Sequence, residues 1–413
     1  MTKIQSLSAR EILDSRGKPT LEVCCILESG ITARASVPSG ASTGVHEAHE
    51  LRDGDMARYR GLGVLTPVAS VTEEMSDALV GNEYTQATLD QALVALDGTE
   101  DKSRLGANTI LAVSLAFARA NAQEQSQKLY EYIGQISGVP MGSMPKPMFN
   151  VINGGKHADS GLDIQEFMII PRGFDLVSRG IQAGAEVMYA LRDVLSAKGY
   201  ATSVGDEGGF APKLGSNEEA FEHIVTAIAK AGYTHDDVVI GIDAAGSEFF
   251  SNEAYHVRRD GEKRELSSSE LVAWYRDLAG AFPLISIEDP CAEDDWDGFA
   301  ALTKLLPGVT VVGDDLTVTN VARIQEAIDR NAINAVLLKL NQIGTLTETI
   351  AAAALTKKQG WKCIVSHRSG ETDDTFIADL AVGIGAEFLK SGSLQRSERV
   401  AKYNRLMEIE AMK

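Results

Sequence analysis

Residues 284–288 (LISIE), 309–314 (VTVVGD) and 335–339 (AVLLK) share one form, a short apolar run that ends in a charged side chain. Runs of this length without polar alternation are typical of strands in a parallel sheet, because such strands are buried on both faces. Segments with helical periodicity, such as 320–330 and 346–359, lie between or after them. This regular alternation of strand and helix predicts an α/β fold with a parallel sheet.

The alternation continues through most of the chain after residue 138. Further predicted strands are 167–170, 238–242, 363–365 and 388–389. Six successive units place a polar or charged group just after the strand, namely Asp243, Glu288, Asp314, Lys339, His367 and Lys390. The spacings are 45, 26, 25, 28 and 23 residues, and the last four match one strand and one helix. Since only a closed barrel brings all these strand ends together, we expect a TIM-type β/α barrel.

The first part of the chain has a different pattern. Strand-like runs at 4–12, 21–27 and 31–37 precede helical patterns at 69–80, 86–97 and 107–123. This order predicts a smaller α+β capping domain. A Gly- and Pro-rich stretch runs from Ser137 to Pro147. We therefore expect a cap of residues 1–137 and a barrel of residues 138–413.

Composition excludes several classes of protein. The 413 residues are 44% hydrophobic and 23% charged, which is ordinary for a globular protein and excludes a disordered or fibrous one. A net charge of −19 argues against binding to nucleic acid or to an anionic membrane surface. No apolar run approaches the roughly 18 residues of a membrane helix, and the first residues lack the apolar core of a signal peptide. We expect a cytoplasmic protein whose four cysteines are reduced thiols.

Three of the strand-end groups are carboxylates that would meet at one rim. Two unit charges about 4 Å apart repel by roughly 4 kcal/mol at an effective dielectric constant near 20, so Asp243, Glu288 and Asp314 need a cation between them. Oxygen ligands without a Cys/His cluster favour Mg²⁺ or Mn²⁺ over Zn²⁺. The alternative is that each carboxylate only caps the helix that follows it.

Two further residues are candidates for acid–base chemistry. Lys339 follows an apolar strand, and desolvation together with a neighbouring dication would lower its pKa and make it a base. The alternative is a structural ion pair with one of the carboxylates. Glu207 lies in the glycine-flanked loop 205–210 (GDEGGF), where other carboxylates would raise its pKa and make it a general acid. The alternative is an ordinary turn.

Two loops are polar and rich in glycine. Residues 153–158 (NGGKHA) precede Gln165 and Glu166, and residues 39–44 (SGASTG) have the small side chains of a mobile, ligand-covering loop. Either loop could instead be a simple linker. In 46–49 (HEAH) the histidines are three apart rather than the four of a zinc motif, so a solvated segment is expected there. The sequence has no phosphate-binding loop and no nucleophile elbow.

Seven longer blocks occur in a recognisable order. They are 9–17 (AREILDSRG), 39–44, 162–168 (LDIQEFM), 205–212 (GDEGGFAP), 338–345 (LKLNQIGT), 366–372 (SHRSGET) and 396–399 (RSER). With these blocks the sequence resembles the enolase family, the phosphopyruvate hydratases of glycolysis. The resemblance implies an N-terminal α+β cap on a β/α barrel whose first quarter is irregular. It also implies reversible, Mg²⁺-dependent dehydration of 2-phospho-D-glycerate to phosphoenolpyruvate in a homodimer or a higher symmetric assembly.

The resemblance also implies a role for each matching residue. Asp243, Glu288 and Asp314 would bind one Mg²⁺, and Ser42 would help to bind a second. Lys339 would take the C2 proton, and Glu207 would protonate the departing hydroxyl group. The substrate, a small phosphorylated carboxylate, would be bound by His157, Gln165, Glu166, His367, Arg368, Ser369 and Lys390.

Two alternatives stay open at this point. The protein could be another dehydratase or a racemase of the enolase superfamily that acts on a different carboxylate. It could also be a non-catalytic, enolase-like binding protein. A non-catalytic relative is expected to lack a base, an acid or a metal ligand, whereas this sequence has them all. Arg368 and Ser369 beside Lys390 favour a phosphorylated substrate.

Overall fold

A four-stranded antiparallel sheet forms the base of the N-terminal part. The structure is a computed structural model, and it describes residues 1–40, 44–140, 142–259 and 262–413. The sheet has the order β3-β2-β1-β4. Its strands are β1 Thr2–Leu13, β2 Pro19–Leu27, β3 Thr32–Ser36 and β4 Glu83–Tyr84.

Helices cover one side of this sheet. One continuous helical segment has a π-helical turn, Val71–Met75, between α1 Leu65–Ser70 and α2 Ser76–Leu79. The other helices are α3 Gln86–Asp97, α4 Ala107–Glu124 and α5 Leu129–Ser137. Helix α4 packs against β2 and β3 and is buried along most of its length, because its sequence is apolar on nearly every face. The predicted α+β cap is confirmed.

Eight strands close into a barrel after the cap. In the order around the barrel they are β11 Leu284–Glu288, β12 Thr310–Gly313, β13 Ala335–Leu338, β14 Lys362–Ser366, β15 Phe388–Lys390, β5 Lys146–Asn153, β6 Glu166–Ile170 and β7 Val239–Asp243. Strand β6 is antiparallel to both of its neighbours, and the other pairs are parallel. The predicted barrel with an irregular first quarter is therefore confirmed.

Helices surround the barrel. They are α6 Val177–Ala197, α7 Asn217–Lys230, α8 Ser268–Ala281, α9 Trp296–Leu305, α10 Val321–Arg330, α11 Leu340–Ile343, α12 Leu346–Lys358, α13 Phe376–Gly383 and α14 Ser397–Met412. Several begin with side-chain caps. The Ser267 hydroxyl accepts from the N–H of Glu270, and the Glu270 carboxylate accepts from the N–H of Ser267. Such caps fix the start of a helix close to the end of the preceding element.

Among the described residues, no helix has both the length and the apolar character that crossing a membrane requires.

The long spacing of 45 residues between Asp243 and Glu288 has a structural cause. A small antiparallel sheet, β8 Phe250–Ser251, β9 Ala254–Arg259 and β10 Glu262–Leu266, is inserted after β7. It lies between the strand and helix α8 and does not change the barrel order.

Strand β5 was not predicted from the sequence, because Pro145 and Pro147 indicated only a linker. Pro147 is tolerated because β6 pairs with β5 only from Phe149 onward, so the missing N–H is not needed for that ladder. On the other side, the N–H of Lys146 donates to the carbonyl of Glu387 at 2.9 Å. The interior beneath the barrel mouth is closed by apolar side chains, among them Met148, Met168, Ile170, Val312 and Leu337.

Candidate active site

Polar side chains fill the mouth of the barrel at the carboxyl ends of its parallel strands. They line a narrow cavity with about 30 Å³ of space for water-sized molecules. Of the predicted site residues, those lining it are His157, Gln165, Glu166, Glu207, Asp243, Asp314, Lys339, His367, Arg368, Ser369 and Lys390. Glu288 lies beneath them in contact with Lys390. Ser42 lies outside the described residues.

The Lys390 ammonium connects three carboxylates. Its Nζ is 2.9 Å from both carboxylate oxygens of Glu288, 3.2 Å from Asp243 Oδ2 and 3.3 Å from Glu166 Oε2. All four side chains are buried. Burial alone would lower the pKa of Lys390, but the surrounding carboxylates outweigh it and raise that pKa well above its usual value. Lys390 is therefore held as a cation at the centre of the mouth.

Lys339 lies on the other side of this cluster and forms an ion pair with Asp314. The Gln342 amide also donates to Asp314 Oδ1 at 2.8 Å. Burial lowers the pKa of Lys339, but the negative charges of Asp314 and Glu288 together outweigh burial and raise it above the ordinary value. The ammonium and the carboxylate therefore stabilise each other. The expected lowering of the Lys339 pKa depends on a neighbouring dication as well as on burial, and it stays a prediction.

Two acidic residues that sequence reasoning did not select complete this side of the site. The Asp289 carboxylate accepts from the backbone N–H groups of Asp314 at 2.9 Å and Asp315 at 2.7 Å. Burial and the nearby charges of Asp315 and Asp314 raise the pKa of Asp289 well above its usual value. Burial and Asp314 raise the pKa of Asp315 to about 8. Their position in the sequence could have indicated both residues, because each directly follows a predicted metal ligand.

Glu207 lies in a second group, near β6. Its Oε2 is 3.6 Å from His157 Nδ1 and 3.6 Å from His367 Nε2, and it accepts from Asn150 Nδ2 at 3.0 Å. His157 Nδ1 is also 3.5 Å from Glu166 Oε1. Asn150 was missed from the sequence because the strand that carries it, β5, was not predicted.

Glu166 and Glu207 differ in pKa although both are buried and their carboxylates have oxygens within 4.8 Å of each other. Burial raises the pKa of Glu207, but the imidazoles of His157 and His367, which face the carboxylate, and the charge of Arg399 outweigh burial and hold it well below its usual value. Burial and the charge of Glu207 raise the pKa of Glu166 well above its usual value. The prediction of a raised pKa at Glu207 is wrong in this arrangement, because two imidazoles face its carboxylate. The carboxyl group whose pKa is raised is that of Glu166.

Arg368 is buried beneath the cap. Its guanidinium NH1 donates to Glu47 Oε2 at 2.9 Å and to Asn341 Oδ1 at 3.0 Å, and NH2 donates to Glu47 Oε1 at 3.2 Å. The prediction that 46–49 is a solvated segment is therefore wrong for Glu47, whose side chain is only 6% exposed. No local pattern marks this contact, because it joins residues 321 positions apart.

Two family models match the chain, one over each part. The model described as "Enolase, N-terminal domain" matches residues 4–133, and the model described as "Enolase, C-terminal TIM barrel domain" matches residues 141–412. The chain belongs to the enolase family. This membership accounts for the cap and the barrel together, and it indicates a lyase that acts on a small molecule.

The enolase-type site fits a divalent cation by the chemistry of its side chains. Among the described residues, seven carboxylates line the cavity against three basic side chains, Lys339, Arg368 and Lys390. The raised pKa values of Glu288 and Asp289 result from burial and from this excess of negative charge. Carboxylate oxygens are the preferred ligands of Mg²⁺. The acidic residues are thus compatible with the expected metal.

The predicted ligands do not form one tight group in the enolase-type site. Asp243 and Glu288 share the Lys390 ammonium, whereas Asp314 pairs with Lys339. Two other groups, in the described part of the chain, have ligand atoms that all lie within 4.8 Å of one another. The first group is Asp289, Asp314 and Asp315, and the second is His157, Glu166 and Glu207.

Three of the cysteines, Cys25, Cys291 and Cys363, are buried free thiols, and Cys24 is a partly exposed one.

Proposed function

We propose that the protein catalyses the reversible, Mg²⁺-dependent dehydration of 2-phospho-D-glycerate to phosphoenolpyruvate. One observation supports this most strongly. A lysine and a carboxylate pair, Lys339 and Glu166–Glu207, line one cavity from opposite sides of the barrel. This is the arrangement that removal of a proton and of a hydroxyl group from adjacent carbons requires.

Lys339 is the proposed base. Removal of the C2 proton puts a second negative charge on the substrate carboxylate, and bound Mg²⁺ would stabilise that charge as a Lewis acid. Asp243, Glu288 and Asp314 would hold this ion, and Ser42 would contribute to a second. An ion held by Asp314 would compete with Lys339 for the charge of that carboxylate, and burial would then lower the pKa of the amine toward that of a base.

Glu207 is the proposed acid, with Glu166 as its partner. Because the pKa of Glu166 is raised, that carboxyl group retains a proton beside Glu207. Because the two carboxyl groups lie within 4.8 Å of each other, the pair can share one proton and deliver it to the departing hydroxyl group. Asn150 holds Glu207 in place by donating to its Oε2 at 3.0 Å.

Arg368 and Ser369 are the proposed phosphate ligands. A guanidinium group binds phosphate oxygens with parallel hydrogen bonds, and Ser369 lies next to it at the rim of the cavity. Arg16 NH1 also approaches Ser369 Oγ, at 3.4 Å. Lys390, His157, Gln165 and His367 complete the proposed substrate contacts. Only together with bound Mg²⁺ would Arg368, Lys390 and Lys339 give this acidic site the positive charge that an anionic substrate requires.

The test is a comparison of substrates. The purified protein is given 2-phosphoglycerate, glycerate and other unphosphorylated 2-hydroxy acids under identical conditions with Mg²⁺. Turnover restricted to the phosphorylated acid supports the proposal. Preference for an unphosphorylated acid would instead indicate another dehydratase or racemase of the superfamily. The symmetric homo-oligomer, the cytoplasmic location and the place in glycolysis stay predictions from the resemblance.

A further inference from the structure

A fully buried guanidinium lies directly behind the proposed acid. Arg399 is in the first turn of α14 and has no exposed surface. Its NH1 is 2.6 Å from His367 Nδ1 and donates to the carbonyl oxygen of Arg368 at 2.5 Å. Its NH2 donates to the carbonyl oxygen of Ser369 at 2.6 Å. None of the functions assigned above uses this residue.

The chain makes room for this side chain at one glycine. Gly392 has φ +63°, and a Cβ at that position would lie 3.0 Å from Arg399 Cδ and 2.7 Å from the carbonyl oxygen of Glu207. A larger residue would collide with the backbone of the Glu207 loop and crowd the Arg399 stem. The aliphatic part of the Arg399 side chain therefore occupies the space beside Gly392, next to the Glu207 loop.

The contact between Arg399 and His367 determines where the imidazole carries its proton. A guanidinium has only donors, so the ring nitrogen that it contacts, Nδ1, must accept. A neutral imidazole that accepts at Nδ1 carries its proton on Nε2. His367 Nε2 is the atom that faces Glu207 Oε2, at 3.6 Å. The ring therefore presents a donor to the proposed acid.

We infer that Arg399 is a positioning residue that holds His367 as the neutral Nε2–H tautomer, so that His367 acts as a fixed hydrogen-bond donor toward Glu207 and the reacting hydroxyl group rather than as a proton shuttle. The catalytic consequence rests on the proposed function. The tautomer itself does not, because it follows from the contacts of the folded chain alone.

The charged groups around His367 favour the same state. Burial lowers the pKa of His367 well below its usual value; Glu207 opposes this, and Arg399, Lys390 and Lys339 add to it. A second proton on the ring would have to sit on Nδ1, against the guanidinium. His367 therefore stays neutral through the range in which an ordinary histidine titrates.

The first test is nitrogen NMR of protein labelled with ¹⁵N-histidine. The chain has seven histidines, and the His367 signals are assigned by their loss in His367→Gln. We expect a proton-free Nδ1 and a protonated Nε2, with no titration between about pH 5 and 8. A proton on Nδ1 in the unmodified protein, or a ring that titrates normally, overturns the inference. This spectrum decides the matter even where variants of Arg399 fail to fold.

The second test compares two buried cations of the same helix. Lys402 Nζ donates to the carbonyl oxygen of Thr372 at 2.5 Å and lies 3.0 Å from Glu371 Oε2, so it supports the same loop without contacting His367. Arg399→Met is expected to give a mixture of tautomers and a titrating ring, whereas Lys402→Met is expected to keep the Nε2–H form. An unchanged single tautomer in folded Arg399→Met contradicts the inference.

The kinetic test separates positioning from simple loss of structure. With 2-phosphoglycerate, Arg399→Met is expected to lower kcat by about 10–100-fold, as loss of an orienting partner commonly does, with a smaller change in KM. Its kcat is also expected to fall on the acidic side near about pH 6.5, where a released histidine becomes protonated. A loss of kcat without any change in the pH profile would mean that Arg399 acts only on the structure of the loop. If no protein turns over 2-phosphoglycerate, the proposed function fails while the NMR result still decides the tautomer.

Discussion

Lys390 and Glu288 make contact across the full width of the barrel mouth. Three strands separate β15 from β11 in either direction around the barrel, yet Lys390 Nζ is 2.9 Å from both carboxylate oxygens of Glu288. A single buried cation therefore offsets carboxylates from opposite sides of the site. The same charges that would bind a metal and a substrate also determine how stable the barrel mouth is.

Replacement of Lys390 by methionine tests this balance. The change leaves three buried carboxylates without their cation, which is expected to cost about 3–5 kcal/mol of unfolding free energy in the presence of a chelator. Mg²⁺ is expected to restore much of this loss, because a cation that binds only the folded state stabilises it. Urea unfolding with and without Mg²⁺ measures both effects.

Lys362→Met is the control for this experiment. Lys362 is the first residue of β14 and therefore lies at the end of the barrel away from its mouth. Its Nζ donates to Thr310 Oγ1 at 2.8 Å and does not contact the carboxylates around Lys390. Its replacement is expected to cost less and to show no added response to Mg²⁺. A loss in Lys390→Met that is the same with and without Mg²⁺ would count against the charge balance described above.

Lys339→Ala separates catalysis from metal binding. Turnover of 2-phosphoglycerate is expected to fall by about 10²–10⁴-fold, the range that general acid–base groups contribute. Binding of Mg²⁺ is expected to persist, because the variant loses a cation that competes for Asp314. Steady-state kinetics and calorimetric Mg²⁺ titration measure the two properties. Unchanged turnover would refute the assignment of Lys339 as the base.

Asp314→Asn is expected to have the opposite profile. The Mg²⁺ concentration needed for half-maximal activity should rise by at least about tenfold, because a charged metal ligand becomes neutral. The exposed Asp206, next to Glu207 in sequence, provides the control Asp206→Asn, which should leave the Mg²⁺ requirement close to that of the unmodified protein. An unaltered metal titration in Asp314→Asn would argue against a ligand role.

The ion pair between Arg119 and Asp374 is expected to make stability depend on pH. Burial raises the pKa of Asp374, but Arg119 outweighs burial and lowers it. Because the folded pKa lies below the unfolded one, the contribution is complete above about pH 4 and is lost as the pH falls through the folded value. Asp374→Asn should therefore cost about 3 kcal/mol at pH 7. The difference from the unmodified protein should shrink below about pH 4.

Urea unfolding at a series of pH values checks this prediction. The control is Asp193→Asn, which breaks an exposed pair with Lys230 and should cost under about 1 kcal/mol at every pH. A difference between Asp374→Asn and the unmodified protein that stays constant down to low pH would be inconsistent with an ionised buried pair.

The sequence was most informative where a feature repeats along the chain. Apolar runs that end in Asp243, Glu288, Asp314 and Lys339 predicted both the barrel and the convergence of these groups at its mouth. Strand β5 was not predicted because Pro147 is acceptable only where its ladder lacks a partner on one side. Here the pairing with β6 begins at Phe149, which only the assembled barrel shows.

The partners within the site were less predictable. Glu47 and Arg368 pair because the cap packs over the barrel, and nothing near either residue in sequence indicates this. The directions of the pKa shifts at Lys339 and Glu207 likewise depend on which group lies nearest among many buried charges. Such distances are set by the assembled barrel and cannot be obtained from spacing along the chain.

The most direct measurement follows the ultraviolet absorbance of the conjugated enol phosphate after the protein is mixed with 2-phosphoglycerate. With Mg²⁺ the absorbance should rise, and with excess chelator it should stay flat. With Mg²⁺, Lys339→Ala should give a rise that is at least about 100-fold slower. A flat trace from folded protein with Mg²⁺ bound would contradict the proposed dehydration.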